Sequence, residues 1–533
     1  MNSERRPTIQ PRAIRGGLAV IFILMLIISL VPGSVAAEAA DENSTPSDLT
    51  VEITYELTPE TPGQITAVAE YQIPSNVPRV DLGNPDPDRI NIQNIQNLQK
   101  TEEGYVWEGG EAPQITYTID LSTDTLGGDE SGIDVGSWAI VDTVSPSIGW
   151  RYYDESPEYN EEYSVAGEGI AGDGYVYLGH YTTESAMVNG TNATVVKTAG
   201  MSIRPDSDEL FDTFRYMEET LWNSRNDDQK LIIAVSEYTD MTNAGRETGG
   251  DFYVQSNLPL NHPDTTWAHE YVHVTQQTRM SPEMSWFVEG SAEYFTATTM
   301  LNRGMATAEE FEEQITTTDE RIKHANLTDR STWNSSYVEY DKGAHVLAFL
   351  NEQIRENTNG EASMRDVYRD VQQHDGTVNY SDFKRILIDV GGPEMGPVAD
   401  RYINAIGFPD HEFESEQHLY SGYDADDDGL RNGYERQHGL NPLRQDTDQD
   451  GLNDLTEIAE GTDPVTADTD GDSIMDGLEV ESDTDPLNQT APQEFLSATA
   501  ERLFGWATNS TAEDETTPKS IDSRSGLRPV ANT

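Results

Sequence analysis

The sequence predicts a multidomain protein in three parts: an N-terminal antiparallel β domain, an α/β plus helical domain, and a C-terminal stalk of short repeats. Three observations predict it. The chain has 533 residues, too many for one ordinary hydrophobic core. Short β-branched and aromatic runs, broken by Pro, Gly and Asp clusters, fill 49–201 and then give way to helical periodicity. Between 423 and 486 the composition turns abruptly to Asp, Gly and Asn.

Composition narrows the function classes first. With 33 Lys+Arg against 96 Asp+Glu the formal charge is −63, and the excess runs through the whole chain. Nothing here neutralises phosphates, so nucleic acid is excluded as a partner. The chain has no cysteine, which excludes a disulfide framework, a thiol nucleophile and zinc-thiolate sites. With 24 Tyr and 8 Trp, folded domains with an acidic surface are expected rather than disorder. The composition resembles that of proteins from extremely halophilic archaea; in molar salt the Debye length is about 3 Å, so such a surface hardly repels itself.

Arg5, Arg6, Arg12 and Arg15 precede an apolar run at 17–31, then Pro32, Gly33 and small residues at 34–40. That order reads as a secretory signal peptide over 1–40. The run is shorter than the ~20 residues that span a bilayer, so no membrane span is expected after its removal, and the protein is expected to be secreted or at the cell surface. Arg5-Arg6 leaves both general secretory and twin-arginine export open.

The β domain is expected over 49–201. In the next part, 202–413, a helical pattern begins at Ser207, residues 231–235 read as a buried strand, Gly249-Gly250 opens a short strand, and helices dominate from Thr265, with a break at Gly391-Gly392-Pro393. Within it, His269-Glu270-Tyr271-Val272-His273 has H-E-x-x-H spacing, after Asp264-Thr265, which can cap a helix. Residues four apart share a helical face, so both histidines can reach one zinc while Glu270 flanks its open position. A zinc hydrolase needs a third protein ligand, and Trp286-Phe287-Val288-Glu289-Gly290-Ser291-Ala292-Glu293 supplies carboxylates on a second helix.

H-E-x-x-H followed by Glu-Gly-x-Ala resembles the gluzincin peptidases, specifically the aminopeptidase N and glycyl aminopeptidase families. The resemblance implies a thermolysin-like catalytic domain, Glu289 as third zinc ligand and Glu293 as a carboxylate orienting a histidine. The fifteen-residue gap after His273 is short for the aminopeptidase N family, which leaves an exchange of roles between Glu289 and Glu293 open. Tyr340-Asp341-Lys342-Gly343-Ala344 is similar to the family segment whose tyrosine donates to the oxyanion, implying that role for Tyr340. Those families also bind the substrate amine through a glutamate on a strand upstream of the zinc helix. Residues 249–255 are expected to be that strand, and Asp251 is its only acid. Endopeptidase action is therefore expected over aminopeptidase action.

Asp424, Asp446 and Asp468 open three segments spaced 22 residues apart. Oxygen side chains fall at loop positions 1, 3, 5, 9 and 12: Asp424, Asp426, Asp428, Asn432 and Glu435; Asp446, Asp448, Asp450, Asp454 and Glu457; Asp468, Asp470, Asp472, Asp476 and Glu479. Calcium takes six to eight oxygens in this arrangement. The third loop has Ser473 where the others have Gly429 and Gly451. With the Gly-Thr-Asp-Pro run between loops, the pattern resembles thrombospondin type 3 repeats, and dockerins more distantly, implying a calcium-stiffened stalk over 423–486. The tail, 488–533, is expected to be largely disordered apart from a short helix near 495–506. The reading is a secreted zinc peptidase with structural calcium, acting on peptide or protein substrates and attached through its repeats to a protein or the cell envelope. The alternative is a calcium-dependent surface binding protein with an inactive peptidase fold.

Overall fold

The computed structural model describes residues 47–489 apart from 85, 127–131, 199, 222–228, 237–238 and 318. The expected signal peptide at 1–40, the tail helix and nearly all of the expected disordered tail lie outside the described residues. The chain divides into a unit ending at Leu419 and a second beginning at Tyr420.

The first unit opens with a five-stranded sheet ordered Tyr159–Ala166, Leu49–Glu56, Gln64–Gln72, Gln114–Asp120, Ile90–Gln96. Alternation builds its core: Val51, Ile53 and Tyr55 face Ala67, Ala69 and Tyr71 and, beyond them, Ile115, Tyr117 and Ile119, all buried. One pairing departs from the antiparallel expectation, because Leu49–Glu56 runs parallel to Tyr159–Ala166. A parallel pair needs a long crossover, and the hundred or so residues between these strands, which form most of the domain, supply it. Sequence alternation records which face a strand buries but not its direction.

A second, mixed sheet is ordered Tyr181–Val188, Thr191–Thr198, Gln229–Val235, Asp251–Gln255, Gly245–Thr248. Thr191–Thr198, Gln229–Val235 and Asp251–Gln255 are parallel, and Gly245–Thr248 closes one edge antiparallel. The boundary expected at 201 is therefore corrected: 181–198 hydrogen-bonds into the sheet that precedes the zinc-motif helix. Asp251 ties this sheet to Tyr175–Gly179, a strand of a separate four-stranded sheet. It is buried, and its carboxylate accepts from the backbone N–H groups of Gly174 (2.8 Å), Tyr175 (3.2 Å) and Leu231 (2.7 Å). Burial pushes its pKa up to about 7 although these three donors oppose the shift.

Helices Thr266–Thr275, Trp286–Asn302 and Gly343–Thr358 follow. Trp267, Ala268, Tyr271, Val272 and Val274 bury the back of the first, with Tyr271 stacked on Phe214 at 4.1 Å and donating to Glu218. Thr265 is its N-cap residue by backbone conformation, but its hydroxyl donates to Pro259 O instead of capping the helix. The second and third helices cross where Gly290 meets Gly343: a Cβ on either glycine would stand 2.8 Å from the other's Cα. The first unit also runs past the expected end at 413. Asn302 Nδ2 donates to His418 O and Arg355 donates to Leu419 O, stitching 414–419 onto the helices.

Because the crossing has no room for a methyl group, Gly343→Ala should lower unfolding free energy by about 1–3 kcal/mol. A denaturant titration checks this, and an unchanged midpoint would show that the helices separate freely.

Candidate functional site

The helix Thr266–Thr275 sets His269 and His273 one turn apart, their Nε2 atoms 3.1 Å from each other. One oxygen of Glu289, on the second helix, lies 3.4 Å from His269 Nε2 and 3.3 Å from His273 Nε2. Zinc bonds of about 2.0–2.1 Å place tetrahedral donors roughly 3.3–3.4 Å apart. The three edges match the base of such a site, so His269, His273 and Glu289 can hold a zinc ion. Burial alone would pull the histidines down and push Glu289 up. Their mutual contacts reverse both shifts, leaving the histidines raised and Glu289 well below the carboxylate range.

A second layer aims the donors. His269 Nδ1 lies 3.4 Å from Glu293, which also accepts from Gln314 at 3.2 Å. His273 Nδ1 meets Gln276 Oε1 at 2.9 Å, and Gln276 Nε2 is anchored on Val288 O at 2.8 Å. With each Nδ1 facing a carboxylate or amide oxygen, each Nε2 lone pair is left for a metal. The structure thus gives Glu289 and Glu293 separate positions, Glu289 at the donor triangle and Glu293 behind it. Gln276 was not anticipated; a glutamine three residues beyond a ligand carries no signal of its own.

The triangle opens into a cavity of about 760 Å³, also lined by Gly245, Arg246, Glu247, Glu270, Tyr337 and Tyr340. Glu270 is buried, and burial raises its pKa; nearby Glu289 and Glu247 add to the rise while both histidines oppose it. That suits a group that accepts a proton. Tyr340 stacks on His269 with ring centroids 6.1 Å apart. Burial and the charges of Glu289 and Glu339 raise its pKa, keeping the phenol a donor. It sits on a π-helical turn, Val338–Lys342. Lys342 fixes that turn from below, its ammonium donating to the carbonyls of Ala325 (2.6 Å), Gly407 (2.8 Å) and Lys323 (3.1 Å).

The expected amine-binding strand is corrected. Asp251 lies on an inner strand with its carboxylate spent on backbone N–H groups, outside the cavity. The strand along the cavity is the edge Gly245–Thr248, and its acid is Glu247, which accepts from Gly250 N at 2.8 Å. Gly245 lets this strand pass close over the helix, since a Cβ there would stand 2.9 Å from Glu270 Oε1.

In the second unit each loop folds around its own aspartates. Asp424 accepts from the N–H of Asp427 and Gly429, Asp426 from Asp428 and Asp428 from Leu430, and the pattern recurs in the other two loops. Ser473 adopts φ +78° where Gly429 and Gly451 take +100° and +107°, so the third loop keeps the turn at the cost of a left-handed non-glycine residue. Carboxylate oxygens cluster from Asp446, Asp448, Asp450 and Glu457, from Asp424, Asp426 and Asp428, and from Asp468, Asp470 and Asp472. Oxygens of Asp426, Asp448, Asp470, Glu435 and Glu457 are buried with no hydrogen-bond partner, as a cation cage requires. Position 9 also closes the loops. Asn432 accepts from Ala425, Asp454 from Thr447 and Asp476 from Thr469, so these side chains close each loop onto its second residue. Asp454 also clusters with Asp428 and Glu435 of the preceding repeat, and Gly477 N donates to Asp450 at 2.7 Å.

Residues 424–445, 446–467 and 468–489 each match the family profile of the bacterial TSP3 repeat. This segment is a run of TSP3 repeats. Among solved structures, the chain is similar to an aminopeptidase N family protein from Idiomarina loihiensis, with 13% identity, 66% of this chain and 72% of that one covered, and a TM-score of 0.44. It is also similar to an M1 zinc metallopeptidase from Deinococcus radiodurans bound to a Tyr-Ser-Ala substrate, with 11% identity, 69% and 96% covered, and a TM-score of 0.45. A third is Legionella pneumophila aminopeptidase A in complex with aspartic acid, with 13% identity, 67% and 49% covered, and a TM-score of 0.38. No curated protein matches the chain.

Burial, then neighbouring aspartates, pushes Glu435 and Glu457 up to about 8 and Asp448 up to about 6. Carboxylates with raised pKa hold protons below those values, and calcium must displace them. Calcium affinity should therefore rise between pH 6 and pH 8 with proton release, measured by calorimetry in buffers of different ionisation enthalpy. A pH-independent affinity would remove these glutamates from the cages.

Proposed function

We propose that the chain is a secreted or cell-surface zinc-dependent peptidase of the gluzincin type, with a thermolysin-like catalytic part and a stalk stiffened by calcium. The observation that carries this is the His269–His273–Glu289 triangle, sharing one cavity with Glu270 and Tyr340. An inactive peptidase fold would not need all five.

Zinc in that triangle would acidify a water to a pKa of about 7 and polarise the scissile carbonyl. Glu270 takes the proton from the attacking water and passes it to the leaving amine. Tyr340 donates to the carbonyl oxygen as negative charge develops there. Glu293 and Gln276 hold the imidazoles in orientation. The outer edge of Gly245–Thr248 pairs with an extended peptide.

The preference for internal cleavage rested on a strand without a glutamate. Glu247 supplies one in the cavity wall, so the reading favoured now is removal of amino-terminal residues, with Glu247 meeting the substrate's ammonium group. The repeats hold calcium through Asp424, Asp426, Asp428 and Glu435 and their counterparts, and serve attachment rather than catalysis. Among the described residues no helix is long and apolar enough to cross a membrane.

His273→Ala should abolish stoichiometric zinc together with hydrolysis, whereas Glu270→Gln should keep the metal and lose a factor of about 10²–10⁴ in kcat. Full zinc occupancy in the His273 variant would sink the ligand assignment. Peptides with a free amino terminus should be cleaved and their acetylated counterparts spared, with Glu247→Gln weakening the discrimination; equal cleavage of both would restore the endopeptidase reading.

A further inference from the structure

We propose that Glu218 and Lys230 are a positioning pair: their buried ion contact, acting through the Tyr271 hydroxyl, sets the helix that carries His269 and His273 in register with the helix that carries Glu289. The proposal deepens the reading of the metal site and rests on it.

The donor triangle is shared between two helices, with two corners on Thr266–Thr275 and the third on Trp286–Asn302. Its edges of 3.1, 3.3 and 3.4 Å hold only while the two helices keep their relative rotation and height. Hydrophobic attraction is non-directional, whereas a hydrogen bond fixes both a distance and an angle. The zinc-motif helix makes such bonds on the face turned away from the site. Trp267 Nε1 donates to Leu258 O at 3.1 Å, the Tyr271 hydroxyl donates to Glu218 at 2.7 Å, and the Thr275 hydroxyl meets that of Tyr368 at 2.9 Å. These residues fall four apart, one per turn, and each stands two positions, about 200°, from a histidine of the motif.

The middle bond is the strongest of the three, because it ends on a carboxylate. The same Glu218 oxygen accepts from Lys230 Nζ at 2.7 Å, so one atom joins the helix Ser207–Leu221, the strand Gln229–Val235 and the zinc-motif helix. Lys230, Glu218 and Tyr271 are all buried; the ammonium lies 5.1 Å from the centre of the Tyr271 ring, on which Phe214 stacks. A buried ion pair adds little net stability, since well-packed apolar side chains of similar volume commonly do as well or better. Position is what it supplies. The chain has seven lysines, and among the described residues the two that are buried, Lys230 and Lys342, stand behind different walls of the cavity, one behind the histidines and one under Tyr340.

The test reads metal affinity, by chelator competition with zinc and with cobalt, in Tyr271→Phe and in the triple variant Glu218→Leu/Lys230→Met/Tyr271→Phe. In both, the metals should bind about tenfold more weakly, the lower end of what a partner behind the ligands is worth. The factor should be the same in both, because the pair acts only through the hydroxyl. The visible absorption of the cobalt-loaded protein should shift with the changed donor geometry, and kcat at saturating zinc should fall with KM little changed. The triple variant, with apolar groups in place of the pair, should unfold at a denaturant midpoint close to that of the native chain, which separates position from stability. Should it not fold, Tyr271→Phe, which removes one oxygen, decides the matter alone. Native metal affinity in either variant, whatever its midpoint, overturns the proposal and leaves the pair a structural one; so does a triple variant far weaker than Tyr271→Phe. A native chain that binds neither metal overturns the site reading and the proposal together. Metal binding weakened as expected, without hydrolysis of any peptide, upholds the positioning role and overturns the peptidase reading.

Discussion

The backbone contact between Gly290 and Gly343 is the constraint from which the site's geometry follows. Two helices can approach this closely only where neither carries a side chain, and both glycines sit beside residues that matter: Glu289 precedes one, and Tyr340 lies three positions before the other. The crossing therefore delivers a carboxylate from one helix and a phenol from the next to the same pair of imidazoles. Lys342 completes the arrangement from the far side. Its ammonium is fully buried and held by three carbonyls without a carboxylate, and burial draws its pKa down to about 8. The lysine and glycine of the Tyr-x-Lys-Gly-Ala segment thus serve position, holding the tyrosine at the cavity wall.

In a chain of charge −63, the site separates its acids by environment. Glu289, partly exposed, is drawn down by two imidazoles; Glu270, more deeply buried and facing Glu289 and Glu247, is pushed up. One carboxylate is held anionic and the other shifted toward its protonated form, a difference that environment alone can impose on two identical side chains.

Much of this was legible in the sequence, and the failures share a cause. The four-residue histidine spacing, the carboxylate helix and the 22-residue period are local patterns, and local periodicity fixes which side chains share a face. Which acid of this segment faces the cavity was not legible, because Glu247 and Asp251 flank the same Gly249-Gly250 turn. Which of them reaches the cavity depends on which strand is the sheet's edge, a tertiary fact. The boundaries at 201 and 413 failed similarly, since strand pairing and the stitching of 414–419 onto the helices are made by residues distant in sequence. At loop position 9 the residue type was legible, but its bond to the second residue of the loop was not.

The contact from Gly477 to Asp450 gives the repeats a direction. Each later repeat reaches back to the one before it, Asp454 to Asp428 and Glu435 and Gly477 to Asp450, as in a nearest-neighbour chain. Such a chain can gain or lose a whole 22-residue module without disturbing the others, which makes its reach a quantity that duplication and deletion can adjust independently of the chemistry upstream.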